Sequence, residues 1–169
     1  GIIIDIGLCM LLFFVGIDLG RQKDILQNIK KIGYKVIFVP IGVIIGGVVG
    51  GMIGGGILGI PLNEAGAVGS GLGWYTLSAM MLADYSTELS TLAFICNVIR
   101  EVIALIILPF VAKNIGYLES VSICGATAMD TALPLISKST DSNTTVISFI
   151  TGVIASLSVP IVLPIILNI

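Results

Sequence analysis

Six runs of apolar residues, at roughly 2–20, 32–60, 65–83, 91–112, 119–137 and 144–168, fill most of this chain, and each comes close to the about 20 residues that a helix needs to cross a bilayer. In hydrocarbon every backbone N–H and C=O must be satisfied internally, so runs of this length fold as helices. The sequence therefore predicts an all-α membrane protein of about six hydrophobic segments, forming a single transmembrane domain over residues 1–169. Composition agrees: 11% of the residues are charged and 56% are hydrophobic, where soluble domains run nearer a quarter charged. The first run begins at residue 2 with no basic region or small-residue cleavage site before it, so it reads as a span and not as a signal peptide.

Several function classes are excluded by what the chain does not carry. A net charge of -2 offers no basic face to nucleic acid. The absence of histidine removes the commonest metal ligand and acid–base group, and with it any Ser/His or Cys/His nucleophile. There is no phosphate-cradling glycine loop. Neither enzyme activity nor a metal or cofactor is expected. Cys9, Cys96 and Cys124 lie in apolar runs without paired spacing and read as buried, reduced thiols.

Arg21, Lys23, Lys30, Lys31 and Lys35 cluster between and just inside the first two runs, and an excess of Lys and Arg in a short loop marks the cytoplasmic side. Six crossings counted from that loop put both termini outside, Lys138 inside, and Lys113 outside as the one contrary charge. The second run carries two glycine rows, Gly42, Gly46, Gly50, Gly54 and Gly47, Gly51, Gly55, Gly59, each at four-residue spacing. Such rows let helix backbones approach closely in lipid, and Gly42, Gly46, Gly50 and Gly54 are expected to pack a neighbouring helix.

The third and fifth runs mix glycine and polar residues into apolar spans, over Gly69–Ser78 and Cys124–Pro134. Both read as broken or re-entrant helices, because irregular backbone at membrane depth survives only where protein or a wet cavity satisfies it, and they point to a substrate path between them. Shifting residues 60–114 onto 115–169 aligns Glu64 with Glu119, Thr76 with Thr131, Phe94-Ile95 with Phe149-Ile150, and Leu108-Pro109 with Leu163-Pro164. The two broken runs fall in register, as in the internal repeats of transporters.

Arg100, Glu101 and Asp130 lie near the middles of their runs. Exposed to lipid, three such charges would cost about 8–10 kcal/mol, so they face one another, a wet cavity or a substrate. Asn97, Arg100 and Glu101 sit at i, i+3 and i+4 on one helix face, where the Asn97 amide can order the Glu101 carboxylate. Arg100, pointing about 100° away from Glu101, is expected to pair elsewhere, with a backbone carbonyl or another acid. Asp130 falls four residues before Pro134, beside freed backbone groups. Thr127 and Thr131 flank it, with back-bonding to the helix as the alternative for their hydroxyls. Gly71, Gly73, Trp74, Tyr75 and Ser78 form the candidate opposite wall, although Trp and Tyr also serve as interface anchors. Asp5 and Asp18 read as solvated helix ends, and Glu64, Asp84, Glu88, Glu119 and Asp141 as loop residues.

The ordered motifs Gly71-Leu72-Gly73-Trp74-Tyr75-Thr76-Leu77-Ser78, Asn97-Val98-Ile99-Arg100-Glu101 and Cys124-Gly125-Ala126-Thr127-Ala128-Met129-Asp130-Thr131-Ala132-Leu133-Pro134 resemble the lysine exporter LysO family. Phe14-Val15-Gly16-Ile17 and Leu62-Asn63 extend the resemblance over nearly the whole chain. It implies a bacterial or archaeal inner-membrane exporter of L-lysine and of basic analogues such as thialysine, with Glu101 and Asp130 at the positions of the family's intramembrane acids. Longer members carry an additional N-terminal membrane half with a further acid, and some look split into two short chains. The function expected is proton-coupled export of lysine, with a homo-oligomer or a second membrane half as partner. Helix N-termini in the broken runs, or Arg100, would take the α-carboxylate. The competing readings are a non-transporting subunit that scaffolds a partner, and a transporter of another cation or cationic amino acid.

Overall fold

The structure, a computed structural model, describes residues 35–168 together with Phe13 and Ile17. The first apolar run, with Asp5, Cys9 and Asp18, and the basic residues Arg21, Lys23, Lys30 and Lys31 lie outside the described residues. The described chain is all-helical: α1 (Lys35–Ile57), α2 (Leu62–Gly69), α3 (Tyr75–Ala83), α4 (Thr87–Asn114), α5 (Tyr117–Ser122), a 3-10 helix η1 (Gly125–Met129), α6 (Leu133–Ser139) and α7 (Ser142–Leu167).

Three of these helices are long and apolar enough to cross a membrane, α1 over Val36–Ile57, α4 over Thr87–Asn114 and α7 over Ser142–Leu167. Their outer faces are apolar too, with Ile45 and Ile53 on α1, Ile106 and Phe110 on α4, and Leu157 and Ile161 on α7 all exposed. Such surfaces fit hydrocarbon as solvent. The side chains of Ser86 and Asp141 cap α4 and α7, accepting from Leu89 N at 3.3 Å and Thr144 N at 2.7 Å. These caps satisfy orphan amides at the point where each long helix begins.

The third and fifth runs are not continuous helices. The third is split into α2 and α3 by non-helical backbone at Ser70–Trp74, and the fifth into α5, η1 and α6. The local cause is visible in the dihedrals. Gly73 and Gly125 stand at φ +100° and +65°, and Leu72 at φ 49°. Left-handed residues end a helix, and the conformation costs a residue with a β-carbon about 1–2 kcal/mol. Leu72 is held there from both sides: its side chain is buried and its carbonyl accepts from Ala126 N at 2.8 Å. The two breaks thus touch.

Contacts between helix ends define the bundle. Tyr85, just past α3, donates to Glu64 Oε1 near the start of α2 at 3.4 Å, and Asn63 Nδ2 donates to the Leu167 carbonyl at the end of α7 at 3.2 Å. The start of α2, the end of α3 and the end of α7 therefore share one end of the molecule. One apolar cluster fills that half, with Ala67, Leu82, Leu89, Val159 and Leu163. A second cluster joins Leu108, Val121, Cys124, Ala132 and Ile136, with Val39 packed against it. It draws the C-terminal half of α4, α5 and α6 to the half where α1 begins.

The glycine rows of α1 divide their roles. A β-carbon added at Gly51 would meet the Ala65 carbonyl oxygen at 2.6 Å and Gly69 Cα at 2.8 Å, and one at Gly55 would strike the Ala65 side chain, so this row carries the packing of α1 on α2. Among the described residues nothing comes within 4 Å of a β-carbon added at Gly42, Gly46, Gly50 or Gly54, so the contact with α2 is made by the neighbouring row. Two rows on one helix are rotated about its axis, and only one of them can face α2. Gly51→Ala is expected to lower stability by about 1–3 kcal/mol through overpacking, with Gly50→Ala neutral or slightly stabilising. Thermal unfolding of the two variants in detergent checks this.

Candidate substrate site

The middle of α4 lies against both breaks, and its polar side chains divide between them. Asn97 is 3% exposed. Its Oδ1 accepts from Gly73 N at 2.8 Å, and its Nδ2 donates to the Val68 carbonyl at 3.3 Å and to the Ala93 carbonyl at 2.9 Å. The amide is thereby committed to backbone freed by the first break, and it does not order Glu101. An unpaired peptide group at this depth would cost more than a carboxylate left to another donor.

Arg100 serves the second break. Its Nη1 donates to the Ile123 carbonyl at 3.3 Å and its Nη2 to the Cys124 carbonyl at 3.2 Å, just beyond the end of α5. A cation is well placed against the carbonyl end of a helix. A β-carbon at Gly73 would strike the guanidinium, and one at Gly125 would meet its nitrogens at 2.9 and 3.0 Å. The two left-handed glycines thus make room for Arg100 between the breaks. Of the two expectations for this residue, pairing with carbonyls is the one seen, and those carbonyls take both terminal nitrogens.

Glu101 turns toward the second broken run. The Thr131 hydroxyl donates to Glu101 Oε1, and Asp130 Oδ1 accepts from Thr131 N at 2.6 Å. Glu101 and Asp130 are half-buried and Thr131 is exposed. One threonine therefore links two acids that are 29 positions apart in sequence and come from different elements. Thr127 is not part of that link, because its hydroxyl donates to the Cys124 carbonyl at 2.8 Å.

The residues of the first break separate. Ser78 is fully buried and donates to the Tyr75 carbonyl at 3.3 Å, and Gly71 packs against Asn97 and Ser78. Trp74 is exposed. Tyr75 meets Phe94 edge-on, with ring centroids 5.4 Å apart. Phe94 and Glu101 are one heptad apart, so the aromatic pair and the acids lie along one side of α4, about 10 Å apart along its axis.

Sequence reasoning missed the partners that α7 supplies. Ser148 donates to the Ala128 carbonyl at 2.6 Å, and a β-carbon at Gly152 would meet the Met129 backbone, so η1 lies directly on α7. Ser148, Gly152 and Ser156 form a small-residue row at four-residue spacing, the signal that marks such close approach.

A protein-family model described as the lysine exporter LysO matches residues 1–167. The chain is 32% identical over 157 residues to the lysine exporter LysO of Escherichia coli strain K12, covering 92% of this chain and 52% of that protein. It is 31% identical over 161 residues to a putative lysine exporter of Haemophilus influenzae, covering 92% of this chain and 80% of that protein. The chain thus spans about half the length of the first relative and four fifths of the second. No solved structure matches it.

Replacing Asn97 by leucine leaves Gly73 N without its acceptor and removes one of the two donors to the Val68 carbonyl, which keeps the bond from Gly71 N at 3.3 Å. A loss of about 1–3 kcal/mol in unfolding free energy is expected, well above the effect of Cys96→Ala on the same helix, as measured by denaturant titration in detergent.

Proposed function

The chain belongs to the lysine exporter LysO family, and on that premise we propose that it carries L-lysine outward across the inner membrane, with Glu101 and Asp130 taking the substrate's ammonium group or protons in alternation. The observation that carries this reading is the Glu101–Thr131–Asp130 link, which gathers two intramembrane acids from different elements at the side of a helix break. Two carboxylates neutralise one cation well. When they hold protons the lysine leaves to the outside, and when they release those protons inward the site accepts the next lysine, which couples export to the proton gradient. The same chemistry admits basic analogues such as thialysine.

In this reading the start of α3 takes the α-carboxylate. Trp74 provides no side-chain cap there, and the amides of Tyr75, Thr76 and Leu77 are the orphan donors of that helix end.

The proposal extends to the membrane topology. α2 and α3 form a re-entrant hairpin with both feet outside, supported by the Tyr85–Glu64 contact. α5, η1 and α6 form a second hairpin with both feet in the cytoplasm, supported by the cluster around Val39, Leu108 and Ile136. Each hairpin precedes one long helix, the capping residues Ser86 and Asp141 are 55 positions apart, and Leu108-Pro109 recurs as Leu163-Pro164 at the same shift. The two units are thus inverted repeats whose breaks meet at mid-depth. This topology puts Lys113 and Lys138 on the cytoplasmic side with the basic loop before α1, which removes the one contrary lysine of a six-crossing chain.

Reconstituted in preloaded liposomes with an imposed pH gradient, the protein is expected to release labelled lysine. Glu101→Gln and Asp130→Asn should bring the rate to background while the protein stays folded, and Thr131→Val should lower it about tenfold, with Thr131→Ser restoring it. Equal rates in native protein and both acid variants would sink the role of the acids. Topology is checked separately with Asn114→Cys: an impermeant thiol reagent should label it from the cytoplasmic side in the hairpin arrangement, and from the outside if six helices cross.

A further inference from the structure

The charges of the described chain lie where its hairpins and long helices begin and end, with three exceptions. Glu64, Glu88 and Glu119 sit in first turns, Lys113 and Lys138 in last turns, and Asp84 and Asp141 at the caps of α3 and α7. α1 has Lys35 at its first position and no other charge, and α7 has none. By sequence position Asp5 and Asp18 fall toward the two ends of the first run. Arg100, Glu101 and Asp130 remain.

One guanidinium and two carboxylates sum to a net charge of -1 when both acids are ionised. An arginine keeps its proton at any physiological pH. Arg100 is bound to the neutral carbonyls of Ile123 and Cys124 while Glu101 accepts from Thr131, so among the described residues the guanidinium has no counter-ion of its own and its charge belongs to the site as a whole. The thiols of Cys124 and of Cys96 on α4 add no charge at neutral pH.

Moving net charge through a low-dielectric interior is costly, so the states of such a site that reorient are those that sum to zero. One proton on the acid pair gives zero. One lysine gives zero as well, because its α-ammonium and α-carboxylate cancel and its side chain supplies a single positive charge. The empty site and the doubly protonated site both carry net charge and stay in place. Two carboxylates linked through one threonine also favour a single shared proton, since neighbouring like charges resist ionising together.

Resting on the transport reading above, we infer that each lysine leaves in exchange for one proton and that the exchange moves no net charge across the membrane. Lysine binds the ionised pair from the inside, leaves to the outside, and is replaced there by one proton that is released to the cytoplasm. Arg100 sets this ratio without touching the substrate, by cancelling the charge of one of the two acids. Because the empty site does not reorient, lysine cannot leave without a proton returning.

Native protein in lysine-loaded liposomes, with the membrane potential clamped by potassium and valinomycin, gives the first readout. Initial efflux is expected to change less than twofold between clamped potentials of either sign, and a tenfold proton gradient should hold a tenfold opposing lysine gradient at zero potential. Efflux accelerated by an inside-negative potential, with a hundredfold lysine gradient held, means two protons per lysine and overturns the inference while the transport reading stands. No efflux driven by the pH gradient overturns both. Arg100→Gln gives the second readout: its ionised site carries two uncancelled acids, so lysine travels only with a proton kept on one of them. With the gradient held constant, its efflux should fall at least tenfold as the interior is raised from about pH 6 to about pH 8, whereas native protein and Arg100→Lys should keep their rates. A folded Arg100→Gln protein with the native pH profile overturns the role of Arg100. The measurement on native protein does not depend on whether that variant folds.

Discussion

A peptide group that leaves a helix at membrane depth has no water to turn to, and the centre of this molecule is organised around that constraint. Two helices break there, and the partners they need come largely from one turn of α4. Asn97 satisfies the first break at Gly73 and Val68, Arg100 the second at Ile123 and Cys124, and the breaks satisfy each other through Ala126 and Leu72. α4 can do this because its own backbone is continuous through that turn, which leaves its side chains free for others. α7 completes the support with Ser148 and the bare backbone at Gly152.

The same turn of α4 carries Glu101, and this couples support to chemistry. Arg100 and Glu101 both reach the second broken run, one through carbonyls and the other through Thr131, so a shift of that run relative to α4 alters both contacts together. The first break is held instead by a neutral amide. In the transport reading, changing the charge on Glu101 therefore acts on the second hairpin more directly than on the first. Conformational steps biased at one element in this way are how a local protonation becomes a larger rearrangement.

Periodicity and charge made much of this legible in advance. Breaks at Gly69–Ser78 and Cys124–Pro134 follow from glycines and polar residues interrupting apolar runs, and Glu101 and Asp130 stand out because a carboxylate in hydrocarbon needs a reason. Sequence spacing fails where a competing partner lies far away along the chain. Helical spacing pairs Asn97 with Glu101, yet Val68 and Gly73, more than twenty residues away, have the stronger claim on its amide. The glycine rows looked equivalent, because nothing local says which of two faces α2 will cover.

Helicity, a surface suited to lipid, the places where the helices fail and the charges that are out of place can all be read along the chain, because each of these depends on residues close together in it. Packing settles which broken run meets which turn of α4, that Thr131 joins Glu101 to Asp130, and that Arg100 is bound to carbonyls. Those pairings depend on which backbone groups are left unsatisfied once the helices have packed, and that is a property of the assembled bundle.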